Sequence, residues 1–243
     1  MHDLAHLGPK KVFIFGDGSF YLTETVVWGI IVAVIIAALA LWSVRKMERV
    51  PRGKQVVAEL VVTKTYDMVK QIMGKEVGEA FAPYMGTIFF FLLVSNMLGL
   101  FGFRPVTTDL NCTFALALTT FALVQVTAIR YQGPVGRLRE LASPMAWMFP
   151  IKIIEEIARP LSLGFRLFGN ILGGLIVMSL VYSGLATLSY KLVSLPIFDT
   201  ILPLPANAFF DMFEPVLQAY IFTMLSMVYI AQEAIVISAH KGE

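Results

Sequence analysis

About twenty residues from Thr25 to Val44 carry no charge, and this stretch strongly restricts what the chain can fold into. At about 1.5 Å per residue, a helix of that length crosses the ~30 Å hydrocarbon core of a bilayer. The rest of the chain is similar, since 57% of its 243 residues are hydrophobic and only 15% are charged. A typical soluble domain has about 25% charged residues. The sequence therefore predicts an integral membrane protein.

Composition also excludes several functional classes. The net charge is only +2, and no Lys/Arg cluster is interleaved with aromatic residues, so no nucleic-acid partner is expected. The single cysteine, Cys112, excludes an internal disulfide, and the three histidines all lie near the termini. We therefore predict no metal site and no cofactor. Because the first twenty residues do not resemble a cleavable signal peptide, the first apolar span should be retained.

The apolar segments predict one all-α membrane domain, residues 1–243. Its expected parts are a transmembrane helix at 25–44, an interfacial helix at 56–81, a transmembrane hairpin at 84–103 and 112–129, and two long helices at 144–190 and 208–238. Segment 56–81 mixes apolar residues with charges at helical intervals, which favours an interfacial helix over a soluble connecting helix. Both long segments exceed the length of a straight crossing, so at least one must tilt, kink or lie partly along the bilayer.

The distribution of basic residues predicts the orientation. A cluster follows the first span: Arg45, Lys46, Arg49, Arg52 and Lys54. A second group, Arg130, Arg137 and Arg139, follows the hairpin. Because short cytoplasmic loops carry an excess of Lys and Arg, we expect the N-terminus outside and the C-terminus in the cytoplasm.

The stretch "RPLSLGFRLFGN", Arg159 to Asn170, places Arg166 in an apolar segment. An arginine at the centre of a membrane helix costs about 2.5 to 3.5 kcal/mol on insertion scales, so it is a candidate functional residue. The alternative is an arginine that reaches a lipid headgroup or joins two helices. A guanidinium stays protonated, so Arg166 acts as a fixed positive charge, and its natural counterpart is a carboxylate from elsewhere.

Helical spacing places small and polar residues on the face of Arg166. These residues are Ser162, Gly169, Asn170 and Gly173. The spacing of Gly169 and Gly173 allows a partner helix to approach closely, although such a spacing alone often reflects simple packing. Whatever packs on this face should meet the guanidinium.

Carboxylates form two further candidate sets. Asp211 and Glu214 share a helical stripe with Gln218 in the last segment. An inward set consists of Glu155, Glu156 and Glu233. With Arg166 between the two sets, the pattern predicts two half-paths for an ion. The alternatives are solvated positions at the interface or at a helix end for the carboxylates, and an interhelical hydrogen bond for Gln218.

These residues carry a resemblance to a known family. The stretches "RPLSLGFRLFGN" and "PVLQAYIFTMLSMVYI" resemble the signature of subunit a of the F-type ATP synthase. The stretches "LLVSNMLGL" and "RPVTTDLNCTFALAL" look like the family's third and fourth helices and their outer loop. The resemblance covers the chain from about Tyr84 to its end. It implies a non-catalytic stator subunit in a bacterial plasma membrane, passing protons or Na⁺ through two half-channels to and from a rotating c-ring.

The resemblance also implies individual roles and partners. Arg166 would face the c-ring and interact with each passing ring carboxylate, with Ser162, Asn170 and Gln218 lining the same interface and Gly169 and Gly173 packing there. The two long helices would lie strongly tilted around the ring. The implied partners are the c-ring, the b-type peripheral stalk subunits, the rest of the complex and membrane lipid.

Three positions depart from the family pattern. Leu175 stands where some members have Glu or His, and Asp211 stands where others have His or Glu. Lys152 replaces a common glutamate, with Glu155 and Glu156 one turn later. We therefore expect the outer path to depend on Asp211 and Glu214, and we rank Glu155 and Glu156 below them.

Other classes compete with this interpretation. A stand-alone secondary transporter would use Arg166 to bind an anionic substrate, but no internal inverted repeat is visible in the sequence. A structural anchor would tolerate a neutral residue at Arg166. An enzyme is the least favoured class, because the sequence shows no nucleophile with a base, no metal cluster and no phosphate loop.

Overall fold

The computed structural model describes residues 11–15, 20–45, 48, 50, 52–142, 146–192 and 203–240. A short hairpin comes first, with strands β1 (Lys11–Phe15) and β2 (Phe20–Thr23). Four long helices follow: α1 (Glu24–Val44), α2 (Lys54–Met73), α3 (Lys75–Met97) and α4 (Leu110–Leu141). The last part contains α5 (Phe149–Leu192), α6 (Leu204–Asn207), a π-helical segment (Ala208–Phe213) and α7 (Glu214–His240).

Five helical stretches are long and apolar enough to cross a membrane. They are Glu24–Val44, Lys75–Phe101, Leu110–Leu141, Phe149–Lys191 and Leu204–Ala234. The structure is therefore that of a helical integral membrane protein. The antiparallel pair β1–β2 is an addition to the predicted all-α fold.

The starts of α1 and α4 are joined by buried hydrogen bonds. Asp109 caps α4, since its Oδ1 accepts a hydrogen bond from the backbone N–H of Asn111 at 3.0 Å. Its other carboxylate oxygen accepts a hydrogen bond from the hydroxyl of Thr25 in α1, at 2.8 Å. Both residues are buried. The two helices therefore begin at the same end of the bundle.

A break at Gly74 divides the predicted interfacial segment 56–81. Gly74 has φ +79°, a left-handed conformation that glycine adopts without steric cost. The break ends α2 at Met73 and starts α3 at Lys75, so the second part of the predicted segment belongs to α3. The sequence pattern did not reveal this turn, because apolar residues recur at helical spacing on both sides of the glycine.

A kink in α4 turns its last part. Gly133 has φ +75° and ψ 163°, and Pro134 follows it, so the helical hydrogen-bond pattern is interrupted there. The helix then continues to Leu141, beyond the predicted end at residue 129. Arg137 lies in the turned part and is buried.

The two long helical segments differ in regularity. α5 contains 44 residues, which at about 1.5 Å per residue makes it roughly 66 Å long, about twice the thickness of the hydrocarbon core. Residues 144 and 145 of the predicted segment 144–190, and residues 193–202 after it, lie outside the described residues. The last predicted segment, 208–238, begins as a π-helix that carries Asp211 and becomes α-helical at Glu214.

The core lies between α2, α3, α4, α5 and α7. One buried cluster, where α2 and α3 meet α7, contains Val69, Met73, Met85, Met227 and Ile230. A second, where α5 joins the bundle, contains Leu92, Ala117, Leu163, Leu167 and Phe222. By contrast, Thr25 and Val32 are the only buried residues of α1. This helix leaves an apolar surface suited to lipid or to another apolar chain.

The close contact between α2 and α3 makes a testable prediction. A Cβ atom at Gly78 would lie 2.9 Å from Lys70 Cα, a backbone atom that cannot move alone. We expect Gly78→Ala to destabilise the protein by about 1 to 3 kcal/mol, as other overpacked sites do. Thermal unfolding in detergent measures the effect. The matched control is Gly184→Ala, because a Cβ there meets nothing within 4 Å. Equal stability of the two variants would contradict this packing.

Candidate functional site

Arg166 lies on an open face of α5. Its side chain is exposed, and so are Ser162, Gly169 and Asn170 on the same face. A Cβ atom added at Gly169 or Gly173 would meet nothing within 4 Å. Among the residues that the structure describes, none forms a hydrogen bond or an ion pair with the Arg166 guanidinium. The charge is therefore available to a partner outside this chain.

A hydrogen bond joins this face to α7. Asn170 Nδ2 donates to Gln218 Oε1 at 2.8 Å. Gln218 is only 1% exposed, so the bond satisfies a buried amide oxygen that would otherwise be costly. The structure thus brings together two of the predicted interface residues. The third, Ser162, lies one turn of α5 before Arg166.

A large cavity of about 500 Å³ lies where α3 ends and the π-helical segment begins. Both predicted carboxylates, Asp211 and Glu214, line it. Other polar or charged residues in its wall are Asn96, Arg104, Tyr182 and Asn207. Leu175, one of the departures from the family pattern, also lines the cavity and adds no polar group to it. The cavity has room for many water molecules, so ions can be hydrated there.

A small cavity of about 150 Å³ lies beside the N-terminal part of α5, and charged side chains line it. They are Arg137, Glu140, Lys152, Glu155, Glu156, Arg159 and Glu233. The structure thus brings together the three carboxylates of the predicted inward set, Glu155, Glu156 and Glu233. Lys152, at a position where the family often has a glutamate, also lines this cavity.

Arg137 is the centre of the small cavity's ion pairs. Its Nη1 lies 2.9 Å from a Glu140 oxygen and 2.5 Å from a Glu233 oxygen, and its Nη2 pairs with Glu156. Arg159 pairs with Glu155 at 2.8 Å and with the second oxygen of Glu233 at 3.5 Å. These contacts connect α4, α5 and α7.

Because Arg137 and Glu233 are buried, each charge needs a partner of opposite sign. Arg137 is 6% exposed and Glu233 is 4% exposed. A buried charge without a partner is strongly unfavourable, and removing one member of a buried ion pair costs about 3 to 5 kcal/mol. Gln125 adds an uncharged link, because its Nε2 donates to Glu156 at 2.9 Å. Ion pairs are therefore the main interactions between the helices that line the small cavity.

Arg137 is not among the site residues predicted from the sequence. In the sequence it is only one of the basic residues that predict the cytoplasmic side. The position becomes internal because the kink at Gly133 and Pro134 turns the last part of α4 toward α5 and α7. That Gly-Pro pair was the only signal in the sequence, and it does not specify the direction of the turn.

Comparison with known proteins decides the family. A family model described as "ATP synthase A chain" matches residues 26–231. The chain belongs to this family. It is 34% identical over 229 residues to "ATP synthase subunit a" of Moorella thermoacetica, which covers 94% of this chain and 97% of the relative. It is 33% identical over 243 residues to the protein of the same name from Campylobacter fetus, with coverage of 95% and 100%.

The name of a third relative includes the ion that it uses. It is "ATP synthase subunit a, sodium ion specific" of Propionigenium modestum, 32% identical over 246 residues, covering 95% of this chain and 79% of the relative. The resemblance inferred from the arginine stretch and the last helix is confirmed. The ATP synthase A chain is a subunit of the membrane sector of the ATP synthase complex, so a stand-alone transporter is not favoured. In the described part of the chain, no group of three His, Cys, Asp or Glu side chains could hold a metal ion.

Proposed function

We propose that this A chain is the ion-translocating, non-catalytic stator subunit of its ATP synthase. It passes protons or Na⁺ between two half-channels and a rotating ring of c subunits. The observation that carries the proposal is the position of Arg166. Its guanidinium has no partner in the described chain and lies on an open face of α5. Along this helix, Arg166 follows the residues that line the small cavity and precedes those that line the large cavity.

The two cavities serve as the half-channels. Along α5, the small cavity extends to Arg159 and the large cavity begins at Ile171. Twelve residues of helix correspond to about 18 Å, a gap that a cation cannot cross through apolar packing. The ion therefore has to travel on another chain between the two cavities. In the large cavity, Asp211 and Glu214 provide the carboxylates that receive it.

Arg166 separates the two half-channels by its charge. A ring carboxylate about 4 Å away would gain about 4 kcal/mol of attraction at an effective dielectric constant of 20, which keeps the unloaded carboxylate ionised. The same charge repels a cation that approaches without the ring. Gly169 and Gly173 leave space for a ring helix, and Ser162 and Asn170 give the interface polar groups. Gln218 is buried beside them and holds Asn170 by a hydrogen bond.

The arrangement in the membrane follows from helix length and charge. α5 is about twice as long as a straight crossing, so we place it and the last helix strongly tilted, around the ring. α2 is not among the membrane-spanning candidates and lies in the interface. Because short cytoplasmic loops carry an excess of Lys and Arg, we propose that the N-terminus lies outside a bacterial plasma membrane and that the C-terminus, with the small cavity, lies on the cytoplasmic side. Peripheral-stalk b subunits anchor the chain against rotation.

Replacing Arg166 tests the proposal. We expect Arg166→Ala to assemble normally, because its guanidinium has no partner in the described chain. Loss of an attraction of about 4 kcal/mol should lower ATP synthesis driven by an imposed ion gradient more than about a hundredfold. Vesicles with equal amounts of each complex provide the measurement. Arg139→Ala is the matched control, since Arg139 is also exposed and lies outside both cavities. Synthesis by Arg166→Ala at the rate of this control would reject the proposed gate.

The two carboxylates of the large cavity give a second prediction. Because both line the same large cavity, we expect Asp211→Asn and Glu214→Gln each to lower ion-driven ATP synthesis in part, and the double variant to lower it further. Asp67→Asn on the exposed surface of α2 is the control for loss of one carboxylate. Initial rates of gradient-driven synthesis provide the measurement. Full activity of the double variant would show that ions enter elsewhere.

A further inference from the structure

The small cavity contains an excess of negative charge. Four carboxylates line it, from Glu140, Glu155, Glu156 and Glu233. Three cations face them, Arg137, Lys152 and Arg159. Carboxylate oxygens gathered in one space are the groups that hard cations bind. Without sufficient internal compensation, a cavity of this composition would retain the ions that pass through it.

We propose that Arg137 is a positioning residue that acts as a fixed counter-cation, keeping the glutamates of the small cavity from retaining the translocated ion. This inference rests on the proposed function, in which ions leave the protein through the small cavity. Arg137 acts through Glu156 and Glu233, whose oxygens it occupies. It does not itself bind or carry the ion, because a guanidinium offers only hydrogen-bond donors and keeps its proton.

Arg137 pairs with more of the cavity's carboxylates than Lys152 or Arg159 does. It pairs with carboxylates from α4, α5 and α7, and it is buried where they converge. Arg159 pairs with Glu155 and more distantly with Glu233, while Lys152 donates to the backbone oxygen of Glu140 at 3.3 Å. Glu140 and Glu156 therefore have Arg137 as their only ion-pair partner among the described residues.

The pairing explains how an ion can be attracted and still leave. The carboxylates give the cavity a favourable potential for cations, and the arginines already occupy most of their oxygens. A passing ion therefore meets few free ligands and is released into water. A neutral side chain at position 137 would leave Glu140, Glu156 and Glu233 short of positive charge. The cavity would then bind cations more tightly, and divalent ions most of all.

Sensitivity to Ca²⁺ tests this inference in the complete complex. Inverted vesicles expose the small cavity to the medium, where Ca²⁺ is increased at constant excess Mg²⁺ while an imposed ion gradient drives ATP synthesis. For Arg137→Gln we expect the half-inhibitory Ca²⁺ concentration to fall at least about tenfold relative to the unaltered complex. The catalytic sector is the same in all samples, so direct effects of Ca²⁺ on it cancel in the comparison.

Two further variants distinguish loss of the Arg137 charge from general damage to the structure. Arg139→Gln removes an exposed arginine two residues away and should leave the Ca²⁺ sensitivity unchanged. The pair Arg137→Gln and Glu233→Gln removes one carboxylate along with the arginine and should restore the original sensitivity. Unchanged sensitivity in Arg137→Gln, or no restoration in the pair, would overturn the inference.

Assembly and activity also give decisive outcomes. If Arg137→Gln does not assemble or makes no ATP, recovery in the pair supports the counter-cation, because removing a carboxylate compensates for the lost charge. Failure of the pair as well would overturn it, since the arginine would then be needed for more than its charge. The proposed function fails separately, when Arg166→Ala makes ATP at the rate of the Arg139→Ala control.

Discussion

The feature on which the rest of this structure depends is an arginine that has no partner among the described residues. Arg137 and Arg159 show how this chain otherwise treats a guanidinium in its helical bundle, by pairing it with several glutamates. Arg166 is exposed and has no such partner in the described chain. An unpaired charge on an apolar helix is unfavourable in lipid. We therefore propose that another chain supplies the carboxylate that pairs with Arg166.

Buried apolar contacts and a hydrogen bond fix the position of Arg166 in the fold. Leu163 and Leu167 are buried against the bundle and hold α5 in place, which leaves Arg166 and Gly169 on the open face. The bond between Asn170 and Gln218 fixes α5 to the last helix close to the arginine. The two cavities lie on either side of this point along α5. A helix that holds one positive charge between two polar cavities can prevent a cation from passing directly from one cavity to the other.

Much of this arrangement could be predicted from the sequence, because helical spacing and the cost of charge in lipid act locally. The open face with Arg166, Gly169 and Asn170 follows from a period of 3.6 residues. The break at Gly74 and the kink at Gly133 could not be predicted, since each depends on a single backbone conformation that tertiary packing selects. The role of Arg137 depends on that kink. Counting basic residues predicts the side of the membrane but does not show which arginine turns inward.

Cross-linking to the ring tests the central claim most directly, that the face of Arg166 meets the c-ring. In a chain with Cys112→Ser, a cysteine at Gly169 would lie on this face with free space around it. A cysteine at Leu175, nine residues after Arg166, would lie about 180° around the helix and line the large cavity. With cysteines placed along the outward face of the c-ring, we predict disulfides from position 169 and none from position 175. Disulfides from position 175, with none from position 169, would contradict this account.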